Sequence, residues 1–375
     1  MTLTLAFRNL FHDRIRLAVT LVGILFSIVL VAVQLGLYLG ATRMITQTIE
    51  HAEGDIWIMA FATKDFEEAQ PISARSRFVA LGTPGVVKAT SLIVSFTDWR
   101  KPQGGTTLVV AIGSDLEDRA LVPWNVTDGD LATLATRDAV VVDRSYLQEL
   151  GIKGIGDTAQ VRDSRVRVVA LTDGIRSFTV TPFVFTTLNR ARSLASISAD
   201  DVTYVLATLA PGADIDAVKA DLRSRLPDVE VLTKAEFAKR SLNQWLFATG
   251  AGISLIGGAI LGLIVGTVIV AQTLYSSTKD HLNEFATLRA LGSSKGYIYR
   301  VILAQAALSG ALGYVLGMFI SLIVVWASAN TALPILMTFG LAVLLFTLTL
   351  SMCAISAVSA IAKVTKLDPA MVFNR

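Results

Sequence analysis

The sequence predicts an α-helical membrane protein with four transmembrane helices and one mixed α/β soluble domain. Of its 375 residues, 53% are hydrophobic and only 17% are charged, and the mean hydropathy is +0.59. These values lie outside the range of an ordinary soluble chain. The apolar residues concentrate in four segments that contain no Asp, Glu, Lys or Arg. Each segment is longer than the roughly 20 residues that a helix needs to cross hydrocarbon.

The four segments divide the chain into alternating membrane and aqueous regions. In chain order we predict a cytoplasmic amino-terminal segment 1–16, TM1 17–40, a periplasmic domain 41–244, TM2 245–275, a cytoplasmic loop 276–300, TM3 301–329, TM4 333–362 and a cytoplasmic tail 363–375. The first segment has a rival interpretation as a cleaved signal peptide. Its apolar run exceeds the usual signal core of about 7 to 15 residues, so a retained anchor is favoured.

The charge distribution predicts the orientation of the spans. The segment 1–16, the loop 276–300 and the tail together carry ten basic and four acidic side chains. Such an excess in short loops marks the cytoplasmic face, so both termini are expected inside and the large domain outside. The net charge of +3 is thus a topology signal and predicts no nucleic-acid partner.

The region 41–244 reads as two βαβ units that flank an insertion. The first has strands at 55–61 and 86–96 around a helix at 73–81, and the second has strands at 202–209 and 229–233 around a helix at 215–226. This pattern predicts a split ferredoxin-like porter lobe, about 50–105 and 201–240. The insertion, about 106–200, is predicted to be a small β lobe with strands at 107–112, 139–143 and 165–171.

Two further features concern the linkage of this domain. Residues 235–244 are predicted to continue as a helix into TM2, which would form a stiff rod or an ordinary juxtamembrane helix. The single cysteine, Cys353, lies in TM4, so an intramolecular disulfide is impossible and the soluble domain must be held by packing.

The chain carries no recognisable catalytic or cofactor site. Its three histidines fall on both sides of the predicted membrane, and neither a GxxxxGK[ST] phosphate loop nor a Gly-rich dinucleotide turn is present. We therefore predict neither an enzyme nor a cofactor in this chain. The predicted spans contain no ionisable side chain for a proton relay, which disfavours a transporter driven by protons or sodium.

Small residues recur at four-residue spacing in the spans, which allows helix backbones to approach closely. Two interpretations stay open: packing within one four-helix subunit, or the seam of a homodimer. The glycines concerned are Gly258, Gly262, Gly266, Gly313 and Gly317.

The loop 276–300 predicts an amphipathic helix. Ser277 or Thr278 can cap it, and Gly292 stands where a helix-ending left-handed residue is favoured. Leu282, Phe285 and Leu288 fall on one side of it. The helix either lies on lipid headgroups or docks a cytoplasmic partner.

Three motifs in order resemble the FtsX/MacB superfamily of ABC transporter permeases. The run EFATLRALG at 284–292 is similar to its Glu-x-x-x-Leu-Arg-Ala-Leu-Gly signature, LAFRNL at 5–10 to its amino-terminal segment, and KLDPA at 366–370 to its closing motif. STKDHLNEFATL at 277–288 and LPILMT at 333–338 resemble the DevC-type permeases of heterocyst glycolipid exporters. Ala286 departs from the Gly that many members carry, which puts the detailed docking surface in question.

This resemblance implies the permease subunit of an exporter that works by mechanotransmission, located in a bacterial inner membrane with the domain 41–244 in the periplasm. The expected partners are a separate ABC ATPase that binds the ATP, a second copy of the chain, membrane lipid, a periplasmic membrane-fusion adaptor and an outer-membrane duct. The expected efflux substrate is a lipid, a glycolipid or another hydrophobic molecule. The residues expected to couple the ATPase are Leu282, Glu284, Phe285, Leu288, Arg289 and Gly292.

Two alternative functions remain open from the sequence. The chain could relay a signal to a periplasmic cell-wall hydrolase, although its large soluble domain favours export. It could also extract lipoproteins, if the apolar stretch Gly174–Val180 touches lipid. A strand edge or a core position is the favoured interpretation of that stretch.

Overall fold

The computed structural model describes residues 2–280, 284, 287, 293–329, 331 and 333–364. The chain forms two compact units, which we call the helical unit, Met1–Gly40 with Gly252–Arg375, and the α/β unit, Ala41–Ala251. The helices are α1 Thr2–His12, α2 Arg14–His51, α3 Ser76–Leu81, α4 Leu147–Leu150, α5 Leu188–Ala195, α6 Ile215–Arg225, α7 Lys234–Leu242, α8 Ala251–Asp280, α9 Lys295–Ser328 and α10 Phe339–Val364.

Four helices in the described residues, α2, α8, α9 and α10, are long and apolar enough to cross a membrane. The predicted four-helix architecture is therefore confirmed. Each of the four contains a long apolar stretch, as is typical of membrane-spanning helices.

The fourth span begins later than hydropathy predicted, at Phe339 instead of Leu333. Pro334 has no N–H to continue a helix, and residues 334–338 are not helical. Neighbouring helices bond to this backbone: Leu336 N–H donates to the Gly36 carbonyl at 3.1 Å, and Ile335 N–H donates to Ser328 Oγ at 3.1 Å. Apolar composition alone could not distinguish this non-helical peptide from the helix that follows it.

The predicted continuous helix from 235 into the second span is wrong. Helix α7 ends at Leu242, a π-helical turn covers Asn243–Ala248, and α8 begins at Ala251. Gly250 between them has a φ of +79°, in the left-handed region that interrupts a helix. The second span thus begins six residues after the predicted Trp245.

The α/β unit is built on one extended sheet with the strand order β12-β1-β11-β3-β4-β9-β6-β8-β5, with β7 pairing β3 and β8. The strands are β1 Ile56–Met59, β2 Ile72–Ser73, β3 Val86–Arg100, β4 Thr106–Ser114, β5 Val126–Gly129, β6 Ala139–Asp143, β7 Thr158–Val161, β8 Ser164–Thr172, β9 Phe183–Thr187, β10 Asp201–Val202, β11 Tyr204–Leu209 and β12 Glu230–Thr233. Each of the strands and helices predicted in the two βαβ units and in the insertion coincides with one of these elements. The insertion joins the same sheet through the long antiparallel β3–β4 pair.

Aromatic side chains fill the centre of the α/β unit. Trp57 lies 5.2 Å from Tyr204 and 5.0 Å from Phe237 between ring centroids, and all three are fully buried. Phe66 stacks on Tyr204 at 5.9 Å. Such pairs add about 0.5 to 1.5 kcal/mol each beyond the burial of their area.

Candidate functional site

The predicted packing glycines all face α2 within the same chain. A Cβ atom at Gly258 would lie 2.7 Å from Gln34 Nε2, and one at Gly262 would lie 3.0 Å from Leu30 Cδ2. Further along α8, Gly266 faces Ser27.

The glycines of α9 also approach α2. Gly313 faces Ile24, and a Cβ atom at Gly317 would lie 2.9 Å from Ile28 Cβ. Since each of these glycines already has a neighbour in its own chain, they serve close packing around α2.

Of the predicted coupling residues, Glu284 is described, and it is helical and exposed. The remaining five lie outside the described residues: Leu282, Phe285, Leu288, Arg289 and Gly292. Their role stays a prediction.

An ion-pair cluster in the helical unit lies at the end of α8, just before the predicted coupling residues in the sequence. Arg16 Nη2 lies 2.5 Å from Asp280 Oδ2 at the end of α8, and 3.3 Å from Asp13 Oδ2. Asp13 also accepts the Arg16 backbone N–H at 3.1 Å, so it caps the start of α2. A small cavity of about 20 Å³ lies beside the cluster, between Thr20, Gln305 and other polar side chains. The start of α2 is thereby tied to the end of α8 by charge.

The α/β unit contains a buried carboxylate cluster that the sequence analysis did not identify. Glu67 accepts a hydrogen bond from Ser177 Oγ at 2.5 Å and one from Thr179 Oγ1 at 2.6 Å. The loop that carries these hydroxyls is also held by Gln47 of α2, whose Nε2 donates to the Arg176 carbonyl at 2.5 Å. No periodic signal in the sequence marks such a cluster, because its members come from three separate segments.

The apolar stretch Gly174–Val180 is this loop, so the strand-edge alternative is wrong and the core alternative holds for part of it. Its first part is core: Ile175 is fully buried, and its N–H donates to Asp143 Oδ2 at 2.8 Å. Phe178 packs edge-on against Trp245 at 5.5 Å between centroids. These contacts lie within the α/β unit and leave little of the stretch free to touch lipid.

Burial sets the electrostatics of the cluster. Desolvation raises the pKa of Glu67 to about 7, although its two hydroxyl bonds act in the opposite direction. Desolvation also raises the pKa of the neighbouring Asp65. Asp65 Oδ2 and Ser241 Oγ are buried beside a cavity of about 10 Å³, and no described group bonds to either atom. That space is about the size that one water occupies.

Among the described residues, no group of three or more His, Cys, Asp or Glu side chains could hold a metal ion. The ion pairs and hydrogen bonds described above fix the start of α2, the end of α8 and the loop Gly174–Val180.

Family models account for nearly the whole chain. The MacB-like periplasmic core domain matches residues 17–225, and the FtsX-like permease C-terminal domain matches residues 246–369. The chain belongs to the MacB/FtsX family of ABC transporter permeases. Membership in this family implies an ATPase partner.

Individual relatives of the permease are distant. An uncharacterized ABC transporter permease of Mycobacterium tuberculosis is 25% identical over 96% of this chain and 95% of its own length. One from Methanocaldococcus jannaschii is 22% identical over 45% of this chain, and the match spans 43% of that protein, less than half its length.

Two solved structures that match part of the chain are domains of transporters. The periplasmic region of MacB from Actinobacillus actinomycetemcomitans has a TM-score of 0.38 at 10% identity, covering 52% of this chain and 96% of that one. The extracellular domain of the noncanonic ABC-type transporter YknZ from Gram-positive bacteria has a TM-score of 0.36 at 13% identity, covering 48% and 98%.

Proposed function

We propose that this permease is the membrane subunit of an ATP-driven exporter and transmits motion from a separate ATPase to its α/β unit. The observation that carries the proposal is that both family domains are present in a chain without a phosphate-binding loop. In this proposal ATP is bound by a separate subunit.

In this proposal the segment 278–292 is the docking helix, and it lies in the cytoplasm with both termini. Its first residues, 278–280, are the end of α8, so the predicted cap at Ser277 or Thr278 is wrong. The ion pair between Arg16 and Asp280 supports the docking role, because it links the start of α2 to the beginning of this segment. Helix α2 contributes residues to both compact units, and its Gln47 binds the loop that Glu67 holds. A displacement of α2 would therefore act on that loop.

We propose a homodimer in a bacterial inner membrane, with the α/β unit in the periplasm. Because the packing glycines face α2 in their own chain, the seam between copies uses other residues. Exposed apolar side chains on α9, such as Val315 and Phe319, are available for a second copy or for lipid.

The finer assignments rest on the sequence motifs. They are a DevC-type relationship, a lipid, glycolipid or other hydrophobic efflux substrate, and a tripartite assembly with a fusion adaptor and an outer-membrane duct. The antiparallel order β12-β1-β11-β3 supports a split ferredoxin-like porter lobe with the insertion as a second lobe.

The test replaces the apolar face of the docking helix with charge. We expect Phe285→Asp with Leu288→Asp to abolish co-purification of the ATPase and to lower vanadate-sensitive ATP hydrolysis by about tenfold or more, since two buried apolar contacts are lost. The control is Asn283→Asp with Thr287→Asp, which adds the same two charges to the same segment.

The proteins that co-purify with the wild-type chain decide among functions. An adaptor beside the ATPase supports export, whereas a cell-wall hydrolase in its place would favour a signal relay, and a bound lipoprotein would favour lipoprotein extraction. An unchanged complex with the Phe285 and Leu288 variant would refute the docking helix.

A further inference from the structure

Strand β3 has an edge that no other strand of the described chain covers between Leu92 and Trp99. On this edge β11 pairs with β3 as far as Tyr204 opposite Leu92, and β7 pairs with it from Val161 opposite Trp99. On the other edge β4 pairs without interruption from Leu92 to Arg100. Between Leu92 and Trp99 the gap is therefore confined to one edge of β3.

The backbone polar groups of alternate residues point into this gap. Val94 N–H donates to Thr203 Oγ1 at 2.8 Å, and the Asp98 carbonyl accepts from Arg162 N–H at 3.2 Å. Because the β3–β4 register has no bulge and strands repeat every two residues, the N–H and C=O of Phe96 point to the same edge.

No strand of the described chain therefore pairs with Phe96 on this edge. Within the described residues its carbonyl receives a long 3.3 Å bond from Ser95 Oγ, and its N–H has no partner. An unpaired strand edge of this kind is a template for the backbone of another peptide.

The free edge opens into a cleft of about 840 Å³. Its lining includes Ser95 and Phe96 of β3 and residues from the segments 61–71 and 195–203. Binding clefts for ligands typically enclose about 300 to 1,000 Å³. The volume is therefore sufficient for several residues of an extended peptide.

The side chains of the cleft select for charge and apolar character together. Among the lining side chains, Glu68 and Asp201 offer carboxylates against the single ammonium of Lys64, while the buried Glu67 is bonded to hydroxyl groups. Phe61, with 60% of its surface exposed, offers an apolar face. Charge complementarity favours a basic ligand that also carries apolar side chains.

We propose that this cleft binds an extended, basic peptide segment of a partner protein, which adds a short strand to β3 at Phe96. The unpaired N–H and the edge-facing carbonyl of Phe96 select a peptide backbone, and Glu68 with Asp201 select Lys or Arg side chains on it. This goes beyond the exporter proposal, because it assigns a partner surface to the α/β unit whatever the substrate is.

The probe is a fluorescein-labelled, acetylated six-residue peptide of alternating Lys and Val, titrated onto the full chain in lipid nanodiscs. We expect saturable binding, and binding that is weaker by about tenfold or more for the alternating Glu and Val peptide. Two further peptides carry N-methyl groups on the odd or on the even residues of the Lys and Val sequence. One of the two should bind about tenfold more weakly than the unmethylated peptide, because its methyl groups replace the N–H groups that pair with β3.

Two variants of the chain test the same surface. Phe96→Pro removes the free N–H and should abolish binding, whereas Phe96→Leu keeps the N–H and should bind. Glu68→Lys with Asp201→Lys should reverse the preference toward the Glu and Val peptide, and Glu117→Lys with Asp163→Lys, outside the cleft, should not.

The proposal is overturned if no peptide binds saturably, or if N-methylation in either register and charge reversal leave binding unchanged. It is also overturned if Phe96→Pro dissociates a dimer of the chain, because a second copy would then cover the edge. If Phe96→Pro does not fold, the charge-reversal pair and the N-methyl peptides decide the result.

Discussion

Glu67 is a buried carboxylate whose described bonding partners are hydroxyl groups instead of cations. An ionised carboxylate in such a place loses more hydration than two hydroxyl bonds return, so the neutral form is favoured. The consequence is a group that changes charge near pH 7 at the point where a loop is held. The same side chain lies at the wall of the proposed peptide cleft.

We expect the stability of the α/β unit to depend on pH through Glu67. Its pKa is raised in the folded state from 4.5 to about 7, so its contribution is fully present below pH 4.5 and is lost as pH rises to about 7. The loss amounts to roughly 3 kcal/mol in the free energy of unfolding. Glu67→Gln should remove this part of the pH dependence.

The measurement is urea unfolding of the full chain in detergent, followed by tryptophan fluorescence between pH 4 and 8. The quantity compared is the difference between wild type and Glu67→Gln at each pH, since other carboxylates titrate in both. Glu117→Gln, at an exposed position, is the control. A difference that does not change with pH would contradict the assignment.

At the scale of elements, the helices of the helical unit approach α2 through glycine. A Cβ atom at Gly266 would lie 2.5 Å from Ser27 Cβ and 2.8 Å from Met352 Sδ, closer than any real Cβ contact. Gly257, on the same helix, has no atom within 4 Å of such a Cβ. The two glycines therefore differ in packing while they share the same helical backbone.

We expect Gly266→Ala to destabilise the helical unit by about 1 to 3 kcal/mol through overpacking, despite the better helix propensity of Ala. Gly257→Ala is the matched control and should leave stability unchanged or raise it by up to about 1 kcal/mol. The measurement is unfolding by SDS titration, followed by far-ultraviolet circular dichroism. Equal effects of both substitutions would refute the packing role.

At the scale of the whole molecule, the proposed topology places the α/β unit and the segment 278–292 on opposite sides of the membrane. The chain suits a labelling test, because its single cysteine, Cys353, is buried and can be replaced by Ala. Asp163 and Glu284 are both exposed and can each receive the only cysteine of such a variant.

In right-side-out vesicles we expect a membrane-impermeant maleimide to label Asp163→Cys at once and Glu284→Cys only after permeabilisation. The physical basis is the excess of Lys and Arg in the short loops, which are retained in the cytoplasm. Labelling of Glu284→Cys in sealed vesicles would invert the topology and exclude the docking helix from contact with a cytoplasmic ATPase.

The sequence by itself determined the class of the molecule, the four apolar helices and most strands of the α/β unit. These features depend on local periodicity and on the cost of placing charge in hydrocarbon, both of which are read along the chain. The left-handed Gly250 and the non-helical segment before Phe339 were not predicted, because apolar composition does not report backbone dihedral angles.

Only the tertiary structure decided which surfaces each residue meets. The bond between Glu67 and Ser177 joins residues 110 positions apart, and no sequence period connects them. The free edge at Phe96 likewise exists because β11 and β7 end where they do along β3, a consequence of the whole sheet. Local pattern determines elements, whereas desolvation and strand pairing depend on which distant segments the fold brings together.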